Sequence, residues 1–145
     1  MESPVQEFVL KTIVNGIGPV PDKYTAYLFS KNGNVVIPIK LDLLAVENLL
    51  ITQQNIPQAR PTLYDTFERC LKISGSKICC LYIYLMYEGI FYAYLRIFQN
   101  GKTLDVDIKL SDGLCMAIKS KVPIMVDESI ASQFSLQNAS IHKYF

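Results

Sequence analysis

The sequence predicts a single α+β domain with a mixed or antiparallel sheet, a C-terminal three-stranded meander and three to four helices. Blocks of strand-like and helix-like residues are mixed along the chain rather than strictly alternating, which favours this class over a doubly wound sheet. The 145 residues, 50% of them hydrophobic, are enough for one core. We assign residues 1–136 to the domain and expect residues 137–145, which offer little to bury, to form a flexible tail.

The N-terminal half contains three predicted strands, at residues 6–14, 24–30 and 34–39. The last two strands are joined by a turn that contains Asn32-Gly33, and Asn-Gly between β-rich segments is a strong hairpin signal. Pro38 cannot donate a ladder hydrogen bond. It is therefore expected near a strand end or on a sheet edge.

Two helices are predicted in the middle of the chain. Asp42 can cap the first helix, whose apolar residues recur at helical spacing until the segment PQARP ends it. Thr62 can cap the second helix, with Asp65 at the capping-box position. The apolar residues of the second helix share one face, namely Leu63, Phe67, Cys70 and Leu71.

A meander of three strands follows, at residues 77–87, 90–99 and 102–109. If both connecting turns have two residues, the face assigned to the core carries Tyr82, Tyr84, Phe91, Ala93, Leu95, Ile97, Leu104, Val106 and Ile108. The second face then carries Leu81, Ile83, Leu85, Ile90, Tyr92, Tyr94 and Arg96 beside Asp105, Asp107 and Lys109. The register sets Asp105 opposite Arg96, which predicts a cross-strand ion pair. This tyrosine and aliphatic face predicts either a homo-oligomer interface or a helix cover.

The chain ends with a third helix at residues 111–121, a short strand at 124–126 and a fourth helix. Pro123 stops the third helix, and Asp127 can cap the fourth. This order places the start of the third helix directly after the last strand of the meander.

Composition excludes several kinds of function. A net charge of +1 gives no global basic field, so a phosphate partner needs a local site. The four cysteines lack CxxC spacing and are expected to be reduced core residues. The chain has a single histidine, which argues against zinc binding and histidine-dependent catalysis. The chain shows neither a membrane-spanning apolar run nor a signal peptide, so we expect a soluble cytoplasmic protein without membrane contact.

Two carboxylates flank the junction between the meander and the third helix. Asp107 lies near the end of the strand and Asp112 opens the helix, so both can approach one point near free helix N–H groups, which attract phosphate. Carboxylates at such a point can hold Mg²⁺ or Mn²⁺. The alternative is that Asp107 is a solvated strand residue and Asp112 a favourable charge on the helix dipole.

Five segments, in order, carry a family resemblance: VIPI at 36–39, RPTLYD at 60–65, GIFYAYL at 89–95, DIKLSDGLCMAIK at 107–119 and VPIMV at 122–126. From about residue 8 to residue 135 the sequence resembles the bifunctional nuclease family, a bacterial and plant domain credited with cutting both DNA and RNA. The resemblance implies a nuclease-like domain that hydrolyses phosphodiesters of DNA or RNA.

The departures from the family pattern fall on polar positions. Tyr64 stands where the family usually has histidine, and Lys109 and Leu110 stand where it has Arg-Pro. A family glutamate falls at Ala45, although a small shift aligns Glu47 instead. A noncatalytic oligomeric interaction or regulatory module that kept the fold and lost the polar site therefore stays open as the alternative.

The resemblance and the residue pattern together give a set of candidate site residues. The catalytic candidates are Asp107, Asp112 and Asp65, with Mg or Mn held by the first two. The substrate-binding candidates are Lys109, Arg60 and Ser111. Asp65 also has a structural explanation as a capping residue, and Arg60 has one as a solvated loop residue.

Overall fold

A computed structural model describes residues 4–15 and 24–134 of the chain. Within these ranges the order is β1 (Val5–Asn15), β2 (Tyr24–Ser30), β3 (Val36–Leu41), α1 (Leu43–Gln53), α2 (Leu63–Ile73), β4 (Lys77–Tyr87), β5 (Ile90–Gln99), β6 (Lys102–Ile108), α3 (Leu110–Ser120), β7 (Ile124–Asp127) and α4 (Glu128–Phe134). The predicted α+β class and C-terminal meander are confirmed. The segment predicted as a flexible tail, residues 137–145, lies outside the described residues.

The strands form one open, mixed sheet in the order β3-β2-β1-β7-β4-β5-β6. Two antiparallel three-stranded units, β1 to β3 and β4 to β6, lie on either side of β7, which runs antiparallel to β1 and parallel to β4. The chain leaves the sheet edge at β6 and returns to its centre at β7. Helix α3 makes this return and therefore crosses one face of the sheet, which we call the inner face.

The register of β4 differs from the prediction. A β-bulge at Tyr84 places Tyr82 opposite Tyr94 on β5. One inserted residue moves the rest of a strand to the opposite face. Leu81 and Ile83 therefore point to the inner face and are buried, whereas Tyr82 shares the outer face with Tyr94. The predicted faces of Leu81, Tyr82 and Ile83 were wrong, whereas Leu85 lies opposite Tyr92 as predicted.

The core lies between the inner face of the sheet and helices α1, α3 and α4. Its largest fully buried side chains include Leu28, Ile37, Leu49, Leu81, Leu95 and Leu114. Helix α3 approaches the sheet closely at Gly113, where a Cβ atom would lie 2.6 Å from Cδ1 of Leu81. The glycine thus sets the distance between α3 and the sheet.

The far edge of the inner face is less covered than predicted. Leu104 and Val106 on β6 are 47% and 44% exposed, although the sequence places them in the core. Helix α3 packs over β4 and β5 and leaves the edge strand uncovered. Helix α2 has no buried residue, and its Leu63 is 79% exposed. This side of the domain therefore presents apolar side chains to solvent.

The outer face of the meander carries stacked aromatic rings. The rings of Tyr82 and Tyr94 stack with centroids 5.0 Å apart, and Arg96 lies over the Tyr94 ring. Arg96 also donates a hydrogen bond of 3.0 Å to Asp105, which confirms the cross-strand ion pair expected from the sequence. None of the four described helices is both long and apolar enough to cross a bilayer.

Candidate functional site

The candidate residues lie in four places, three of them around α3. Lys109 and Ser111 are at the N-terminal end of this helix, and Arg60 and Asp65 are beside its C-terminal end. Asp112 faces α2. Asp107 is separate from all of these, on the outer face of β6. The sequence placed Asp107 and Asp112 near one point, whereas the structure puts these two residues on different sides of the sheet.

A cavity of about 480 Å³ lies at the N-terminal end of α3, with Lys40, Lys109 and Ser111 in its lining. Lys109 is the N-cap residue and makes no side-chain capping hydrogen bond. The first N–H groups of α3 are therefore not satisfied by a capping side chain. Ala45, at the position aligned with the family glutamate, is buried and lines the same cavity, whereas Glu47 is exposed. The polar groups here can hold an anion.

Asp112 is held by a tyrosine from the neighbouring helix. The Tyr64 hydroxyl donates a 2.6 Å hydrogen bond to Oδ1 of Asp112, and Nδ2 of Asn48 donates to the Tyr64 oxygen at 3.3 Å. Burial, followed by the hydrogen bond to Asp112, raises the pKa of Tyr64 well above its usual range. Tyr64 therefore stays protonated and acts as a donor that joins α1, α2 and α3.

Asp107 points away from this network. It lies opposite Tyr94 in the β5 and β6 pairing, so its side chain is on the outer face, and it is exposed. Asp112 belongs to a helix that packs on the inner face. Among residues 4–15 and 24–134 there is no group of three or more His, Cys, Asp or Glu side chains arranged to hold a metal. Binding of one metal by Asp107 and Asp112 stays a prediction.

A larger cavity, of about 930 Å³, lies between the α1–α2 loop and the C-terminal end of α3. Arg60, Asp65, Lys119 and Lys121 contribute to its lining. Asp65 forms an ion pair with Lys119 and accepts a 2.8 Å hydrogen bond from the Thr62 backbone N–H. The predicted capping box of α2 is therefore confirmed.

The same contacts control the ionisation of Asp65. The hydrogen bond from Lys119 and then the Thr62 backbone N–H lower its pKa below the usual value. A carboxyl group with a lowered folded-state pKa stabilises the fold at pH values above its unfolded-state pKa. That contribution is lost as the pH falls through the folded-state pKa.

Replacing Asp65 by asparagine is expected to lower the free energy of unfolding at pH 7 by about 0.5–1 kcal/mol, because the ion pair is lost while a capping oxygen remains. The loss of stability between neutral pH and about pH 3 should be smaller in this variant than in the wild type. Urea denaturation at both pH values measures this difference. Glu47→Gln, at an exposed position, is the control. An unchanged acid response in Asp65→Asn would contradict the assignment.

The cysteines supply no reactive group at either cavity. All four are free, and burial raises the pKa of Cys115 to about 11. Its thiol therefore stays protonated near neutral pH. Cys70 is exposed, contrary to the core position predicted for it.

Sequence reasoning missed Lys119 and Lys121, which line the larger cavity. Lys119 and Lys121 are about sixty positions from Arg60 along the chain, and only the packing of α3 beside the α1–α2 loop brings them to one cavity. A lysine near the C-terminal end of a helix is common because it interacts favourably with the helix dipole. These two positions alone are therefore only a weak indication of a binding role.

The fold is that of an α+β domain whose helical side carries cavities lined by lysine and arginine. The family model of the bifunctional nuclease domain matches residues 27–139. The chain therefore belongs to the bifunctional nuclease domain family, as the resemblance implied.

Two relatives illustrate the similarity. A Mycobacterium tuberculosis protein described as uncharacterized is 29% identical over 105 residues, which are 72% of this chain and 62% of the relative. Bifunctional nuclease 1 of Oryza sativa subsp. japonica is 31% identical over 86 residues, which are 57% of this chain and 26% of that protein. The matches thus span less than two thirds of the length of these relatives.

Proposed function

We propose that this chain is a nuclease-like domain that hydrolyses phosphodiester bonds of DNA and RNA with a carboxylate-bound Mg or Mn ion. Family membership supports the general class. The observation that carries the proposal is the uncapped start of α3, which opens beside Lys109 and Ser111 in the cavity of about 480 Å³. The four free cysteines support action in a reducing compartment such as the cytoplasm.

The start of α3 can bind a substrate phosphate through three kinds of donor. Its first backbone N–H groups donate hydrogen bonds to phosphate oxygens, and the helix dipole favours the negative charge. Lys109 lines the same cavity, and its ammonium group can offset that charge. The Ser111 hydroxyl adds a neutral donor. This arrangement orients a phosphodiester next to α3.

Asp112 has the donor chemistry that a metal ion needs. Its Oδ1 accepts the hydrogen bond from Tyr64, and within the described residues Oδ2 accepts none, so one oxygen remains for a ligand. Mg²⁺ commonly binds one or two carboxylates and takes its other ligands from water and substrate phosphates. When bound, the metal would activate water and offset charge on the scissile phosphate. Asp107 lies on the other side of the sheet and does not add an oxygen in this arrangement.

We expect the purified protein to cleave single-stranded RNA and plasmid DNA with added Mg²⁺ or Mn²⁺ and not in EDTA. Lys109→Ala should lower kcat/KM about tenfold, since it removes about 1.4 kcal/mol of phosphate contact. Lys77→Ala removes an exposed lysine from β4 and should leave cleavage unchanged. Cleavage that persists in EDTA, or a Lys109→Ala variant as active as the wild type, would contradict the proposal.

A noncatalytic oligomeric interaction module is the second candidate. The exposed apolar residues Leu63, Leu104 and Val106 favour it, and so does the engagement of Asp112 by Tyr64. The outer sheet face around Tyr82 and Tyr94 is the proposed homo-oligomer contact. Light scattering would report a multiple of 16.4 kDa for such an assembly. Assembly without any metal-dependent cleavage would favour this module over the hydrolase.

A further inference from the structure

We infer that the helical side of the domain carries a basic groove that binds the phosphodiester backbone of a single-stranded nucleic acid. The basic groove consists of three adjoining cavities along α2, the α1–α2 loop and the C-terminal half of α3. This inference rests on the proposed function and identifies where the substrate strand runs. It adds a binding surface outside the cavity at the start of α3.

The three cavities form one row. The central cavity, of about 930 Å³, shares Asp65 and Lys119 with a cavity of about 320 Å³ beside α2. It also shares Ile118 and Lys121 with a cavity of about 420 Å³ that reaches β1 and Lys31. Neighbouring cavities that share lining residues adjoin each other. Their extent suits an extended ligand better than a single small anion.

Positive charge is concentrated along this row. Six basic side chains line it, namely Lys31, Arg60, Arg69, Lys72, Lys119 and Lys121. Three acidic side chains line it, namely Glu7, Asp65 and Glu68. The basic groove thus carries an excess of three positive charges, whereas the whole chain has a net charge of only +1. Such a local excess attracts a polyanion.

The acidic residues of the basic groove are already neutralised. Glu7 pairs with Lys31 at 2.6 Å, Glu68 pairs with Lys72 at 3.7 Å, and Asp65 pairs with Lys119. The remaining basic side chains, Arg60, Arg69 and Lys121, are exposed and make no ion pair with any residue in the described part of the chain. These three cations are therefore available to phosphates.

The arrangement of the cations along adjoining cavities favours a single strand. A flexible single-stranded backbone can enter successive cavities and follow a charged groove, whereas a duplex is a stiff rod. Arg60 and Lys121 both line the central cavity, so they mark the middle of the expected path. The logarithm of the binding constant falls linearly with the logarithm of the salt concentration, and each contact with a single-stranded phosphate should add about 0.7 to the magnitude of this slope.

Fluorescence anisotropy tests the basic groove directly. Labelled twenty-nucleotide U and dT oligomers and a twenty-base-pair duplex are titrated with protein in EDTA at several salt concentrations. We expect Arg60→Ala/Lys121→Ala to bind both single strands at least tenfold more weakly, with a salt slope smaller by about 1.4. The control Lys77→Ala/Lys102→Ala makes the same charge change at exposed strand positions and should bind like the wild type.

Several results would overturn the inference. One is that the wild type does not bind single strands, and another is that the Arg60→Ala/Lys121→Ala variant binds them as tightly as the wild type. A third is that the control variant loses as much affinity as the groove variant, and a fourth is that the wild type binds the duplex more tightly than the single strands. Because EDTA prevents metal-dependent cleavage, this assay is independent of hydrolysis. Cleavage without groove-dependent binding rejects only the basic groove, and groove-dependent binding without cleavage rejects only the hydrolase proposal.

Discussion

Replacing Asp112 by asparagine is expected to lower metal-dependent cleavage at least 100-fold, which corresponds to about 2.7 kcal/mol of transition-state stabilisation. The substitution removes the negative charge that would hold the cation. Asparagine still offers an oxygen to the Tyr64 hydroxyl, whose 2.6 Å hydrogen bond joins α2 to α3, so the fold should be retained. Initial rates on single-stranded RNA, with wild type and variant purified identically, measure the effect and reveal any contaminating nuclease.

Two further aspartate variants complete this experiment. Asp107→Asn tests the sequence-based hypothesis that both carboxylates hold one metal. A loss of cleavage rate equal to that of Asp112→Asn would support this hypothesis. Because Asp107 lies on the outer face, we expect the cleavage rate of Asp107→Asn to fall by less than about tenfold. Asp105→Asn removes a charge from the same strand and is the control. If Asp107→Asn and Asp112→Asn both cleave like the wild type, neither carboxylate holds a catalytic metal.

Gly113→Val is expected to destabilise the fold strongly. A Cβ atom at this position would lie 2.6 Å from Cδ1 of Leu81 and 3.2 Å from Cγ2 of Ile108. Leu81 is fully buried and has little room to move. We expect a loss of about 3 kcal/mol in the free energy of unfolding and a fall of about 10 °C in Tm.

Urea denaturation and thermal melting measure this loss. Thr66→Val places valine at an exposed position of α2 and should change stability by less than about 0.5 kcal/mol. Gly113→Val combined with Leu81→Ala should be less destabilised than the sum of the two single variants, because the new side chain fills the space that leucine leaves. A Gly113→Val variant as stable as the wild type would show that α3 does not approach the sheet so closely.

Local features of this chain followed from the sequence. The capping box of Thr62 and Asp65 depends on residues three positions apart, and the Arg96–Asp105 pair depends on a hairpin register set by the Asn100-Gly101 turn. Both features were predicted and both are present. The family, too, was recognisable from short segments in order, since these segments are local patterns.

The candidate site was less accessible to sequence reasoning. Asp107 and Asp112 are five positions apart, yet strand alternation turns one to the outer face while the helix keeps the other on the inner side. The bond between Tyr64 and Asp112 joins residues 48 positions apart. Such a contact depends on how α2 crosses α3, and no local pattern specifies that crossing.

The order of the helices and strands, the N-caps of α1 and α2 and the family of this protein could be predicted from the sequence, because each depends on neighbouring residues or on ordered motifs. The folded chain was needed to show that β7 lies between β1 and β4, that the bulge at Tyr84 moves Leu81, Tyr82 and Ile83 to the opposite faces, and that six basic side chains line one row of cavities. These features depend on contacts between distant segments. Their geometry is fixed by packing of the whole core rather than by any one segment.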